Sequence, residues 1–124
     1  MATQFINYQA QNIGTTTYHM IDGTAKVSNP TGIPSSGTDA LDSGKAQIMV
    51  GCMVANIKTT SVEATVSIRN GATVTRLVKS VTIPAGDAVE VVQGKVVMEA
   101  GDEIEVSANS ATALDCVVSV LKNA

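Results

Sequence analysis

Few side chains in this sequence are able to do chemistry. The chain has one histidine, His19, two cysteines, Cys52 and Cys116, and eleven acidic residues. One imidazole rules out a two-histidine metal centre within the chain, and any Ser-His-Asp triad would have to use His19. No Gly-x-Ser-x-Gly elbow occurs to hold a nucleophile. His19 follows Tyr18 in a β-branched stretch and is expected at a surface or rim. The densest acidic group is Asp102, Glu103 and Glu105. Glu103 and Glu105 lie two apart on an expected strand and share one face, read as a solvated face that discourages edge pairing. A glycosidase pair would instead face across a cleft from different elements. Calcium between Asp87 and Asp102 lacks the supporting D-x-[DN]-x-[DN]-G loop. The glycines occupy turn positions with no helix after them, so no phosphate cradle is formed. The expectation is a protein with no catalytic residue, cofactor or metal, and not an enzyme.

Neither cysteine belongs to a C-x-x-C pair, which excludes zinc-ribbon and thioredoxin readings. Both fall in the middle of expected strands with their side chains inward. Two readings stay open: buried reduced thiols packing as small hydrophobes, or a disulfide joining Cys52 and Cys116 across the sandwich.

Composition sets the frame for these residues. The chain has 124 residues, 44% hydrophobic and 15% charged, with a net charge of −3. That length suits one domain, 1–124, which hides roughly two-thirds of its unfolded surface. The hydrophobic content argues against disorder. The negative balance and the singly scattered basic residues argue against a nucleic-acid partner. The aromatics are Phe5, Tyr8 and Tyr18, with no tryptophan. The core must therefore be built largely from Val, Ile, Ala, Leu and Met, and a stacking platform for bases or sugars is hard to assemble. No apolar run approaches the ~18–20 residues of a membrane helix, and no secretory signal pattern opens the sequence. Synthesis and assembly in a cytoplasm are expected, with no membrane partner.

Residues 1–13 are polar and mixed in pattern, and read as an arm or an edge strand rather than a core element. Residues 14–21 favour a strand, ending at the Asp22-Gly23 turn signal. Residues 22–45, rich in Gly, Ser, Thr and Asp with Pro30 and Pro34, read as one long loop. From residue 46 to 124 the pattern is β throughout. Ile48, Val50, Cys52 and Val54 form one inward phase of a central strand covered on both sides. Val62, Ala64, Val66 and Ile68 point inward, and Asn70-Gly71 marks a hairpin to residues 73–83. Residues 88–92 and 95–99 flank Gln93-Gly94 as a second hairpin. Ile104 and Val106, then Leu114, Cys116, Val118 and Val120, supply the last inward rows. Turn signals recur about every 8–12 residues. The fold class expected is all-β: a seven- to eight-stranded antiparallel β-sandwich, Ig-like or jelly-roll-like.

Four segments carry a resemblance: Ser80-Val-Thr-Ile-Pro-Ala-Gly-Asp87, Val89-Glu-Val-Val92, Lys95-Val-Val-Met-Glu-Ala-Gly-Asp-Glu-Ile-Glu-Val106 and Ala113-Leu-Asp-Cys-Val-Val-Ser-Val-Leu121. With Asn7-Tyr8 and Gly14-Thr-Thr-Thr-Tyr18, they resemble small virion structural proteins of tailed bacteriophages over residues 1–21 and 46–124. The chain departs from that pattern in residues 22–45. The resemblance implies an architectural role in the virion, with the major capsid protein or other virion proteins as partners, and a homo-oligomer. A capsid decoration or cement protein is the first expectation. A neck, head–tail connector or tail accessory protein is the alternative, and a host-surface or glycan-binding module the second. Anchors are expected among the apolar residues that the sandwich core does not need: Phe5, Ile6 and Tyr8 in the arm, and Val27, Pro30, Ile33 and Pro34 in the loop.

Overall fold

Period-2 alternation of β-branched residues, broken by Gly, Asn and Asp turns, leaves this chain little option but strands. The computed structural model describes residues 3–21, 29–30, 32–35, 47–99 and 101–123. Val27 and most of the expected loop lie outside the described residues. Nine strands run in order: β1 (Thr3–Ile13), β2 (Tyr18–Ile21), β3 (Gln47–Asn56), β4 (Val62–Asn70), β5 (Thr73–Ile83), β6 (Ala88–Glu90), β7 (Val96–Met98), β8 (Asp102–Ala108) and β9 (Leu114–Asn123). They form two antiparallel sheets. The first has the order β1-β9-β3, with β6 and β7 both on the far edge of β3, and the second is β2-β8-β4-β5. Taking β6 and β7 as one interrupted edge strand gives eight strands in the order of a jelly roll. The all-β sandwich expected from the sequence is thus the observed fold.

The core lies between the sheets. It is built from Val54, Val66, Val106, Val118 and Val120, with Ile13, Ile21, Met49, Met98, Ile104 and Leu114, and the rings of Tyr8 and Tyr18 close it. Burying each large side chain of this kind contributes roughly 1.5–3 kcal/mol. The Asn70-Gly71 hairpin forms as the sequence predicts, with Gly71 at φ 60°. That conformation is cheap only without a Cβ.

Several expectations need correction. Residues 3–13 take the edge-strand form: β1 pairs with β9 from Thr3 to Ile13. They also contribute to the core, because Tyr8, Ala10 and Ile13 are buried. Tyr8 is therefore not an exposed anchor. Ile6 and Ile33 are half-buried against the core as well. In β3 the register shifts between Met49 and Gly51. This bulge turns the face, so Met49 is inward with Cys52 and Val54, while Val50 points out. The face of β3 opposite the core is consequently open, with Met53 half exposed. The expected hairpin at Gln93-Gly94 does not form. Glu90 pairs with Met53 and Val96 with Met49, so both short strands run antiparallel to β3 along one edge.

Candidate functional site

β8 is an interior strand, flanked by β2 and β4, and this position decides the fate of its acidic residues. Ile104 and Val106 face the core, so Glu103 and Glu105 stand on the outer face of the second sheet. Register places His19 directly opposite Glu105 on one side. It places Ser67 opposite Glu105 and Arg69 opposite Glu103 on the other. The result is a tight polar cluster. His19 Nδ1 lies 3.3 Å from Glu103 Oε1 and 3.5 Å from Glu105 Oε2. Arg69 Nε donates to Glu105 Oε2 at 2.9 Å. Asn29 holds the histidine's backbone: its Oδ1 accepts from His19 N at 2.7 Å, and its Nδ2 donates to His19 O at 3.1 Å.

Two sequence readings fall here. Glu103 and Glu105 are not a solvated face, being only 7% and 8% exposed. His19 is not a free surface residue, with a side chain only 12% exposed. Flanking strands on both sides of β8 supply the side chains that crowd this row, which a one-dimensional pattern cannot reveal. Asp102, on the core-facing phase, is engaged structurally: Asn70 Nδ2 donates to it at 2.7 Å and Glu99 N at 2.9 Å. Asp87 Oδ1 accepts from Ala88 N at 2.8 Å, and Asp87 N donates to Pro84 O at 3.0 Å to close the turn. Among the described residues, the group with a metal-ligating donor set is His19, Glu103 and Glu105.

Cys52 and Cys116 are buried and free. They do not face each other across the sandwich. Cys52 pairs with Val118 and Cys116 with Val54, so they are diagonal neighbours on adjacent strands of one sheet. A hydrogen bond shared with Cys52 and burial, aided by nearby Glu90 and Asp115, push the Cys116 thiol well above its ordinary value. A thiol held neutral in this way is a poor nucleophile.

The outer face of the first sheet is of a different kind. Register aligns Phe5 with Leu121, Leu121 with Ile48, and Ile48 with Val97, an apolar row across β1, β9, β3 and β7. Phe5 is 81% and Val97 63% exposed. A second pair, Val117 opposite Met53, lies further along, and Val50 projects from the bulge between them. Among these residues the sequence points to Phe5 alone. Of the other expected anchors, Pro34 is exposed and Pro30 half-buried. Pro34 is tied to β1 through Gln11 N, which donates to its carbonyl at 2.9 Å. The missed signal is the bulge, which moves Val50 outward.

No protein-family model matches the sequence, and no curated protein matches it. A solved structure of Eiger TNF from S. frugiperda is similar at a TM-score of 0.42 and 10% identity, over 97% of this chain and 93% of that one. The fold assignment rests on strand order and not on this likeness.

Proposed function

We propose that this chain is a non-enzymatic structural protein of a tailed-phage particle, bound in many copies to the capsid exterior. The observation that carries this reading is the apolar row Phe5, Leu121, Ile48 and Val97 on the open face of the first sheet. Exposed apolar residues grouped in this way are the usual mark of a packing surface. The motif resemblance supplies the virion context, and the face supplies a means of attachment. A jelly roll serves capsids, lectins and other roles alike, so the fold permits the reading without selecting it. The nucleophile-poor composition and the masked, high-pKa Cys116 are in keeping with a binding role.

Each site would bury a phenylalanine and several aliphatic side chains, and repetition over a lattice multiplies modest single-site strength. Removing β1 is not a clean test, because Tyr8, Ala10 and Ile13 belong to the core. A point change is. Wild-type protein added to empty capsids that lack it is expected to saturate them. Phe5→Asp forfeits about 2 kcal/mol of burial per site, roughly 30-fold in single-site affinity. Equal saturation by the folded variant would overturn the assignment of this face. Binding at a single vertex or only to tails would replace the capsid reading with the neck or tail one.

A further inference from the structure

We propose that His19, Glu103 and Glu105 form a binding site for one divalent transition-metal ion, with zinc the best match. Their donor atoms all lie within 4.8 Å of one another on the outer face of the second sheet. Their spacing is informative. His19 Nδ1 stands 3.3 Å from Glu103 Oε1 and 3.5 Å from Glu105 Oε2. Nitrogen and oxygen donors bound tetrahedrally to zinc at about 2.0–2.2 Å are separated from each other by about 3.3–3.5 Å. The two edges therefore match those of a zinc coordination shell.

A second observation points into the same space. His19 Nδ1 and Glu103 Oε1 are both buried, and neither has a hydrogen-bond partner. Glu103 as a whole is more than nine-tenths buried. A buried carboxylate oxygen facing a buried ring nitrogen, with no hydrogen bond between them, is costly unless something binds both. Charge leads the same way: Arg69 pairs with Glu105, and Glu103 Oε1 faces the His19 ring. The remaining negative charge in a nearly closed site favours a cation.

The donor set selects the class of metal. One imidazole with two carboxylates suits zinc and its neighbours, whereas calcium and magnesium prefer all-oxygen shells with more ligands. Three protein donors leave a fourth position for water. Arg69, donating to Glu105 Oε2 at 2.9 Å, and Asn29, clamping the His19 backbone, act as orienting partners. This site would pin β2 to β8 and is independent of the surface assigned to capsid binding.

The test uses untagged full-length protein stripped with a chelator and titrated with zinc chloride by calorimetry. One zinc per chain is expected, with a melting temperature that rises with free zinc. Glu103→Gln and His19→Gln, each folded by circular dichroism, are expected to bind at least roughly 10-fold more weakly, the low end of what loss of even an orienting partner costs. Should either variant fail to fold, cobalt added to the wild-type protein decides. The expected spectrum is that of a tetrahedral nitrogen–oxygen site, without thiolate charge-transfer bands from Cys52 and Cys116. Failure of the folded wild-type protein to bind either metal, retained affinity in both variants, or a thiolate spectrum would overturn the proposal.

Discussion

Asn56 closes one end of the sandwich, and its removal is expected to cost more stability than an ordinary surface change. The residue is 2% exposed at the end of β3. Its Nδ2 donates to Thr60 O at 2.8 Å, Ile83 O at 3.0 Å and Pro84 O at 3.3 Å, while Oδ1 accepts from Lys58 N at 2.8 Å. Because Ile83 ends β5, this one side chain joins the two sheets. In Asn56→Ala the carbonyls of exposed Thr60 and Pro84 regain water. The Ile83 carbonyl and the Lys58 amide do so less readily, and stranding two such groups costs about 2–3 kcal/mol. For a domain of this size that lowers Tm by about 8–12 °C. Urea unfolding is the assay: the midpoint falls while the m-value stays constant. Asn56→Asp keeps the acceptor for Lys58 but turns a carboxylate toward carbonyls, so it is expected to be worse. A loss below about 0.5 kcal/mol for Asn56→Ala would refute the clamp, since that is the scale of an ordinary surface substitution.

Further outcomes follow from the same geometry. Glu90 Oε1 accepts from Cys52 N at 2.7 Å where the edge strand is interrupted, so Glu90→Ala is expected to lose about 1–3 kcal/mol in urea unfolding. The Cys116 thiol is raised above its ordinary value of 9.0, so the folded form stays protonated while the unfolded chain ionises. Its contribution is fully present below pH 9.0 and is lost as pH rises from there toward the folded value, giving a falling alkaline stability curve that Cys116→Val flattens. Both thiols are expected to resist labelling until the protein is denatured, and rapid native labelling would contradict their burial. Phe5→Asp is expected to leave Tm within about 2 °C of wild type, because an exposed ring contributes little to the fold.

Most of the architecture is legible in one dimension, and particular residues explain where that legibility ends. The Asn70-Gly71 hairpin, the inward phase of Val62, Ala64 and Val66, and the terminal strand with Cys116, Val118 and Val120 follow from alternation and turn chemistry. The phase of Ile48 and Val50 does not, because a bulge leaves the alternation of residue types intact while reversing which of them face inward. The Gln93-Gly94 signal suggests a hairpin, but pairing with β3 on both sides of it holds the chain in line. Glu103 and Glu105 look solvated because their own strand is all the pattern records. His19, 84 positions from Glu103 by number, meets them only once β2 has docked on β8. Phe5 is legible as an exposed apolar residue, whereas Tyr8, three residues later on the opposite face of β1, is core.

The most direct measurement of the proposed role is a reconstruction of tailed-phage capsids incubated with this chain. The account predicts a jelly roll repeated over the capsid exterior, with Phe5, Ile48, Val97 and Leu121 turned toward the underlying shell. A particle lacking the chain, or one that presents this apolar row to solvent while another face makes the contact, would contradict it.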